Sequence, residues 1–101
     1  MTVWVISPDL MDQSRFRAVL GDRVRFVTSF DGILPGDIAV IDLRRGVTPP
    51  PVATRTVAFG SHVDRRVLAD ARAAGWQEVY PRSELFRILR ELFDGKTTDG
   101  C

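Results

Sequence analysis

Cysteine is almost absent from this chain. Of its 101 residues only Cys101 carries a thiol, so no intrachain disulfide and no cysteine metal cluster can form. Cys101 ends a polar tail, and an intermolecular disulfide in vitro is the reading expected of it. Histidine is equally scarce, with His62 alone, and one imidazole without neighbours does not make a metal centre. Long apolar runs are missing too. Stretches such as Ile38 to Ile41 fall far short of the roughly 20 residues that a membrane helix needs. The N-terminal stretch has no basic region followed by an apolar segment, so a cytoplasmic location and no membrane association are expected. Neither charge sign dominates: 14 Lys and Arg stand against 13 Asp and Glu, for a net charge of +1. That balance gives no reason to expect a nucleic-acid partner. No Gly-rich dinucleotide or P-loop motif is present, and no internal repeat.

What is present is an ordinary globular composition, 45% hydrophobic and 27% charged, in a length that suits one modest core. One domain is expected over residues 1–94, followed by a polar tail, 95–101. Val3-Trp4-Val5-Ile6 is short, apolar and β-branched, the pattern of a buried strand. Ser7-Pro8-Asp9 follows with helix-start chemistry, Ser7 as cap and Pro8 in the first turn. Phe16, Val19 and Leu20 then share one helical face, and Gly21 stops the helix. Arg23 to Thr28 alternates arginine with apolar residues, as an edge strand does. Ile38 to Ile41 is apolar throughout, as central parallel strands are, and Asp42 stands at its carboxyl end. Gly46 and the run Pro49-Pro50-Pro51 exclude a helix between Arg44 and Thr54. A fourth strand is expected over Arg55 to Phe59. Ser61 and Asp64 have capping-box spacing, and Val63, Val67, Leu68, Ala71 and Ala74 form the stripe of a second helix closed by Gly75. Glu78 to Tyr80 reads as a fifth strand. Pro81-Arg82-Ser83 opens a last helix with Leu85, Ile88, Leu89 and Leu92 on one side. Strands alternating with helices imply an α/β fold with a mostly parallel sheet.

From Val57 to Phe93 the order of elements is strand, loop, helix, Ala74-Gly75, short strand, then Arg82-Ser83-Glu84 opening a terminal helix. This resembles the closing third of the receiver domains of two-component response regulators. The stretch Val3 to Gly21 fits the beginning of the same plan. The resemblance implies a flavodoxin-like sheet of five strands in the order 2-1-3-4-5, about three helices, and second and third crossovers reduced to loops. It places Asp42 where receivers carry the phosphoacceptor, Gly60-Ser61 where they carry the switch hydroxyl, and Arg82 where they carry a lysine. The acidic pair that follows the first receiver strand is replaced by Ser7-Pro8. A hard divalent cation wants several oxygen ligands, and phosphoryl transfer depends on that charge neutralisation. The expectation is therefore an atypical receiver-like module, not an enzyme, without a cofactor. It would act through a protein partner or a homodimer. Mg²⁺ enters only in the alternative in which Asp42 accepts a phosphoryl group.

Several residues keep two readings at this level. Asp42 is either the acceptor equivalent or a strand-end residue paired to Arg82 or Arg44. Ser7, Ser61, His62 and Arg82 converge with it on the carboxyl edge of the sheet, where open α/β sheets place ligands; a small anion- or nucleotide-binding site or enzyme there is the other alternative. Ser61 and His62 read equally well as helix-start and loop residues. Tyr80, Phe86 and Phe93 are contact candidates, because receivers commonly pair through this side of the fold; if buried, they are core. Three helices leave one sheet face thinly covered. Phe30, Ile33, Leu34, Val47 and Val52 either fold down on it as a lid or leave an apolar patch for a partner.

Overall fold

The structure is a computed structural model of the full chain and describes residues 2–46, 48–51, 55–61 and 63–93. Strand β1 (Val3–Ile6) leads to helix α1 (Leu10–Leu20), and a 3₁₀ turn at Gly21–Arg23 opens into β2 (Val24–Phe26). Strand β3 (Ile38–Asp42) ends in a second 3₁₀ turn, Leu43–Arg45. Then come β4 (Arg55–Gly60), α2 (Arg65–Ala73), β5 (Glu78–Pro81) and α3 (Arg82–Phe93). The five strands lie in the order β2-β1-β3-β4-β5, and every neighbouring pair is parallel. This is the flavodoxin-like α/β fold expected from the sequence, with three α-helices among the described residues.

Strand composition accounts for strand position. Every residue of β1 and β3 is buried, as fits uninterrupted apolar runs between neighbours on both sides. Strand β2 is an edge, with Arg25 in water and Val24 and Phe26 half-buried. Alternate residues then divide the core in two. Val3, Val5, Val40, Val57 and Phe59 face α1 and α3, where Phe16, Leu20, Leu85, Phe86 and Leu89 close one layer. Trp4, Ile6, Ala39, Ile41 and Ala58 face the other way, against Ala71 of α2, Trp76, Phe30 and Ile33.

Both helix starts differ from the sequence expectation. The carboxylate of Asp9, not Ser7, caps α1 by accepting from the Met11 and Asp12 amides at 2.8 and 3.1 Å. Ser7 directly follows β1 and is buried, and Pro8 precedes the cap instead of entering the first turn. Asp64 caps α2 through the Val67 amide at 2.9 Å, and Ser61 lies exposed ahead of it. Of the predicted α2 stripe only Ala71 is fully buried; Val67 and Leu68 are half-buried, and Ala74, past the helix end, is exposed. Trp76 supplies the missing apolar bulk: it turns back through its amide to the Ala71 carbonyl, 3.1 Å away, and its ring meets Phe30 edge-on at 6.1 Å.

The shortened crossovers do the work of absent helices. Residues 27–37 connect β2 to β3 without a helix, and Phe30 and Ile33 fold onto the sheet while Leu34 stays in water. Asp37 pins the end of this connection: its buried carboxylate accepts from the Thr2 amide, the Trp4 indole Nε1 and the Leu34 amide at 3.0, 3.1 and 3.2 Å. In the next crossover Pro49 approaches Gly75 so closely that a Cβ there would sit 3.1 Å from Pro49 Cγ. Gly75 also has φ +106°, so two constraints select glycine. Val47 and Val52 lie outside the described residues. If Phe30 covers the second face, Phe30→Ala should cost about 3–5 kcal/mol, the range for a large aromatic truncated in a core. Leu34→Ala should cost less than about 0.5 kcal/mol. Urea unfolding of both variants checks this, and equal costs would remove the crossover from the core.

Candidate functional site

The carboxyl ends of β3 and β5 and the first turn of α1 bring together two acids and two arginines. Asp42 closes β3 and is 0% exposed. Its Oδ1 accepts from the Arg44 amide and from Arg44 Nε, both at 3.0 Å. Its Oδ2 accepts from Arg44 Nε at 3.0 Å and from Arg44 Nη2 at 2.5 Å. The amide bond makes Asp42 the cap of the 3₁₀ turn Leu43–Arg45, while the guanidinium bonds make it an ion pair. Arg82 opens α3 and reaches the same place from the opposite side. Its Nε donates to Asp12 Oδ2 at 2.9 Å, and its Nη2 lies 4.0 Å from Asp42 Oδ2. The guanidinium carbon stands 5.8 Å over the Phe59 ring, an attraction between a cation and the electron-rich face of an aromatic.

Charge balance explains why two carboxylates tolerate burial here. An unpaired buried charge is strongly unfavourable, whereas a hydrogen-bonded pair offsets its own desolvation. Asp12 is 3% exposed and accepts from Arg82; Asp42 has Arg44 on both oxygens and Arg82 beside it. Two anions face two cations. Burial pushes the Asp42 carboxyl upward, but the Arg44 side-chain and backbone hydrogen bonds, with the charges of Arg44 and Arg82, outweigh it and hold the group below its ordinary value. A planar guanidinium suits this bridging position better than a lysine would, because its fork reaches two carboxylates at once.

The same balance bears on a divalent cation. Mg²⁺ demands near-octahedral oxygen ligation, usually with one or two free carboxylates. Here both buried carboxylates are engaged by guanidinium groups, and among the described residues no three His, Cys, Asp or Glu side chains gather as a metal-holding group. The donor set does not fit Mg²⁺.

Asp12 is the residue that the sequence reading missed. It precedes Phe16 by four positions and Leu20 by eight, so it falls on the buried face of α1; the helical spacing contained the signal, and only its charge argued against burial. Leu10 and Met11, next to it, are 78% and 73% exposed. The first turn of α1 thus inverts the usual apolar-in, polar-out order.

The other predicted residues scatter. Ser7 stands at the end of β1, 6% exposed, with its carbonyl accepting from Gln13 Nε2 at 2.8 Å. Its Oγ is buried without a hydrogen-bond partner, a state that costs about 1–3 kcal/mol. Ser61 is exposed at the end of β4 and lines a separate groove of about 410 Å³ with Leu43, Arg44 and Trp76. Among the described residues no hydrogen bond joins Ser7 or Ser61 to Asp42 or Arg82. His62 lies outside the described residues. Phe86 is a core residue, its ring 4.8 Å from that of Phe16. Tyr80 and Phe93 are half-buried against the same core. The Tyr80 hydroxyl donates to Glu78 Oε1 at 2.5 Å, and Glu78 pairs with Arg55 across β4 and β5.

No protein-family model matches the chain, and no curated protein or solved structure matches it either.

Because the folded-state value of Asp42 lies below its unfolded one, the group stabilises the fold fully above the unfolded value of about 3.9. That contribution is lost as pH falls through the folded value. Urea midpoints measured down to pH 2 should therefore fall more gently in Asp42→Asn than in the parent; parallel acid limbs would show that Asp42 is not held ionised. Arg82→Met strands Asp12 and should cost about 3–5 kcal/mol. Arg44→Met, on a side chain 60% exposed, should cost clearly less, and the same unfolding curves decide the order.

Proposed function

We propose that the chain is a receiver-like signalling module that works by protein contact, with a second copy of itself or a signalling partner, and without phosphorylation. The observation that carries this reading is the occupation of Asp42, the acceptor equivalent. Both its oxygens accept from Arg44, and Arg82 lies 4.0 Å from one of them. Arginine charges stand where phosphoryl chemistry would need a metal ion and a free carboxylate nucleophile. The side of the fold built by α2, β5 and α3 supplies the contact surface in this reading. Phe86 belongs to the core there, so Tyr80 and Phe93 are the aromatic residues with accessible flanks.

Incubation with acetyl phosphate and Mg²⁺, followed by intact mass measurement, should show no added phosphate. A stoichiometric, acid-labile phosphate absent from Asp42→Asn would replace this reading with the phosphoacceptor one. Sedimentation across a hundredfold range of concentration should detect self-association that weakens in Phe93→Ala; a strict monomer would leave a different protein as the partner.

A further inference from the structure

The shortened β2–β3 crossover has a second effect besides covering Trp4. Because residues 27–37 contain no helix, space remains over the carboxyl ends of β1 and β2, and the structure has an open cleft of about 610 Å³ there. That volume lies within the range of about 300–1,000 Å³ found for small-molecule sites. The cleft is lined by Ser7, Arg25, Thr28, Ser29, Asp31 and Arg45. It adjoins the acid–arginine cluster but shares none of that cluster's four side chains.

Three properties of this lining point to one chemistry. Arg25 comes from β2 and Arg45 from the 3₁₀ turn after β3, both are exposed, and neither forms an ion pair among the described residues. Arg44, Arg55, Arg82 and Arg87, by contrast, each pair with an acid of the fold. Asp31 is the one acid in the cleft lining, so two cations face one anion. Secondly, the buried Ser7 Oγ has no hydrogen-bond partner, and a single χ1 rotation is all that a serine needs to redirect its hydroxyl. Thr28 and Ser29 add further hydroxyls. Thirdly, the Arg25 guanidinium stands over the Trp4 ring at 5.0 Å, which holds that cation at the wall of the cleft. Guanidinium forks match phosphate oxygens with paired hydrogen bonds, hydroxyls suit both phosphate and sugar, and the cleft is larger than a bare phosphate requires.

We infer that the cleft over β1 and β2 is a binding site for a small organic phosphate, gripped by Arg25 and Arg45. It is independent of the contact function proposed above and of the Asp42 cluster.

The test is a titration of the ¹⁵N-labelled full chain with AMP, ribose 5-phosphate, inorganic phosphate and adenosine at low salt. AMP or ribose 5-phosphate should shift the amides of Ser7, Arg25 to Asp31 and Arg45 saturably, with inorganic phosphate and adenosine at least about tenfold weaker. Arg45→Gln should weaken that binding by about tenfold or more, as should raising the salt. Arg45 is exposed in a turn, so this variant stays folded even if Arg25→Gln does not, and Arg90→Gln on the far part of α3 should bind like the parent. Absence of saturable shifts at millimolar organic phosphate would overturn the inference. So would unaltered affinity in folded Arg45→Gln, equal affinity for inorganic phosphate, or shifts centred on Asp42, Ser61 and Arg82 instead.

Discussion

A parallel sheet buries both of its faces, and among the described residues only three α-helices are there to cover them. Helices α1 and α3 take one face together, leaving α2 alone on the other. Everything distinctive follows from that shortage. Phe30, Ile33 and Trp76 are drawn in as substitutes for helical side chains, and Asp37 anchors the crossover through three donors. Pro49 of the next crossover lies close against Gly75. The substitutes are smaller than helices, and the cleft beside Arg25 and Arg45 is the volume they leave.

At the carboxyl edge a different economy operates. The ends of β3 and β5 bring Asp42 and Arg82 to one point, and the first turn of α1 adds Asp12. At this corner the buried carboxylates of Asp12 and Asp42 are balanced by fixed cations, Arg82 and Arg44. Arg82 thereby joins elements seventy residues apart in sequence, tying α1, β3 and α3 into one rigid corner. The adjacent cleft is lined instead by Arg25 and Arg45, which form no ion pair among the described residues.

Most of the fold was legible because its signals are local. Apolar runs bounded by Gly and Pro marked β1, β3 and β4, and the spacing of Phe16, Val19 and Leu20 marked α1. The alternation around Arg25 marked an edge. Legibility failed where a residue's role depended on something distant. Asp9 and Ser7 are both good caps by type, and the choice fell to Asp9, with Ser7 buried directly after β1 and two residues ahead of the cap. Asp12 carried no local sign of a buried partner, because Arg82 comes from the other end of the chain. Trp76 follows the end of α2, and its burial depends on Phe30 from a distant crossover. Of the predicted site residues, Asp42 and Arg82 meet while Ser7 and Ser61 stand apart, since sharing a sheet edge fixes height above the sheet but not lateral position.

The amino-acid sequence by itself determined the strand and helix content, the parallel sheet and the position of Asp42 at a strand end, because periodicity and turn chemistry act over a few residues. Only the tertiary structure decided that Asp42 is held by Arg44 and Arg82, that Asp12 is buried, that Phe86 is core, and that a cleft opens over β1 and β2. Those outcomes depend on which side chains meet after chain reversal, and on how much volume two short crossovers leave unfilled. Pairing and packing are properties of the assembled sheet, and local propensity carries no information about either.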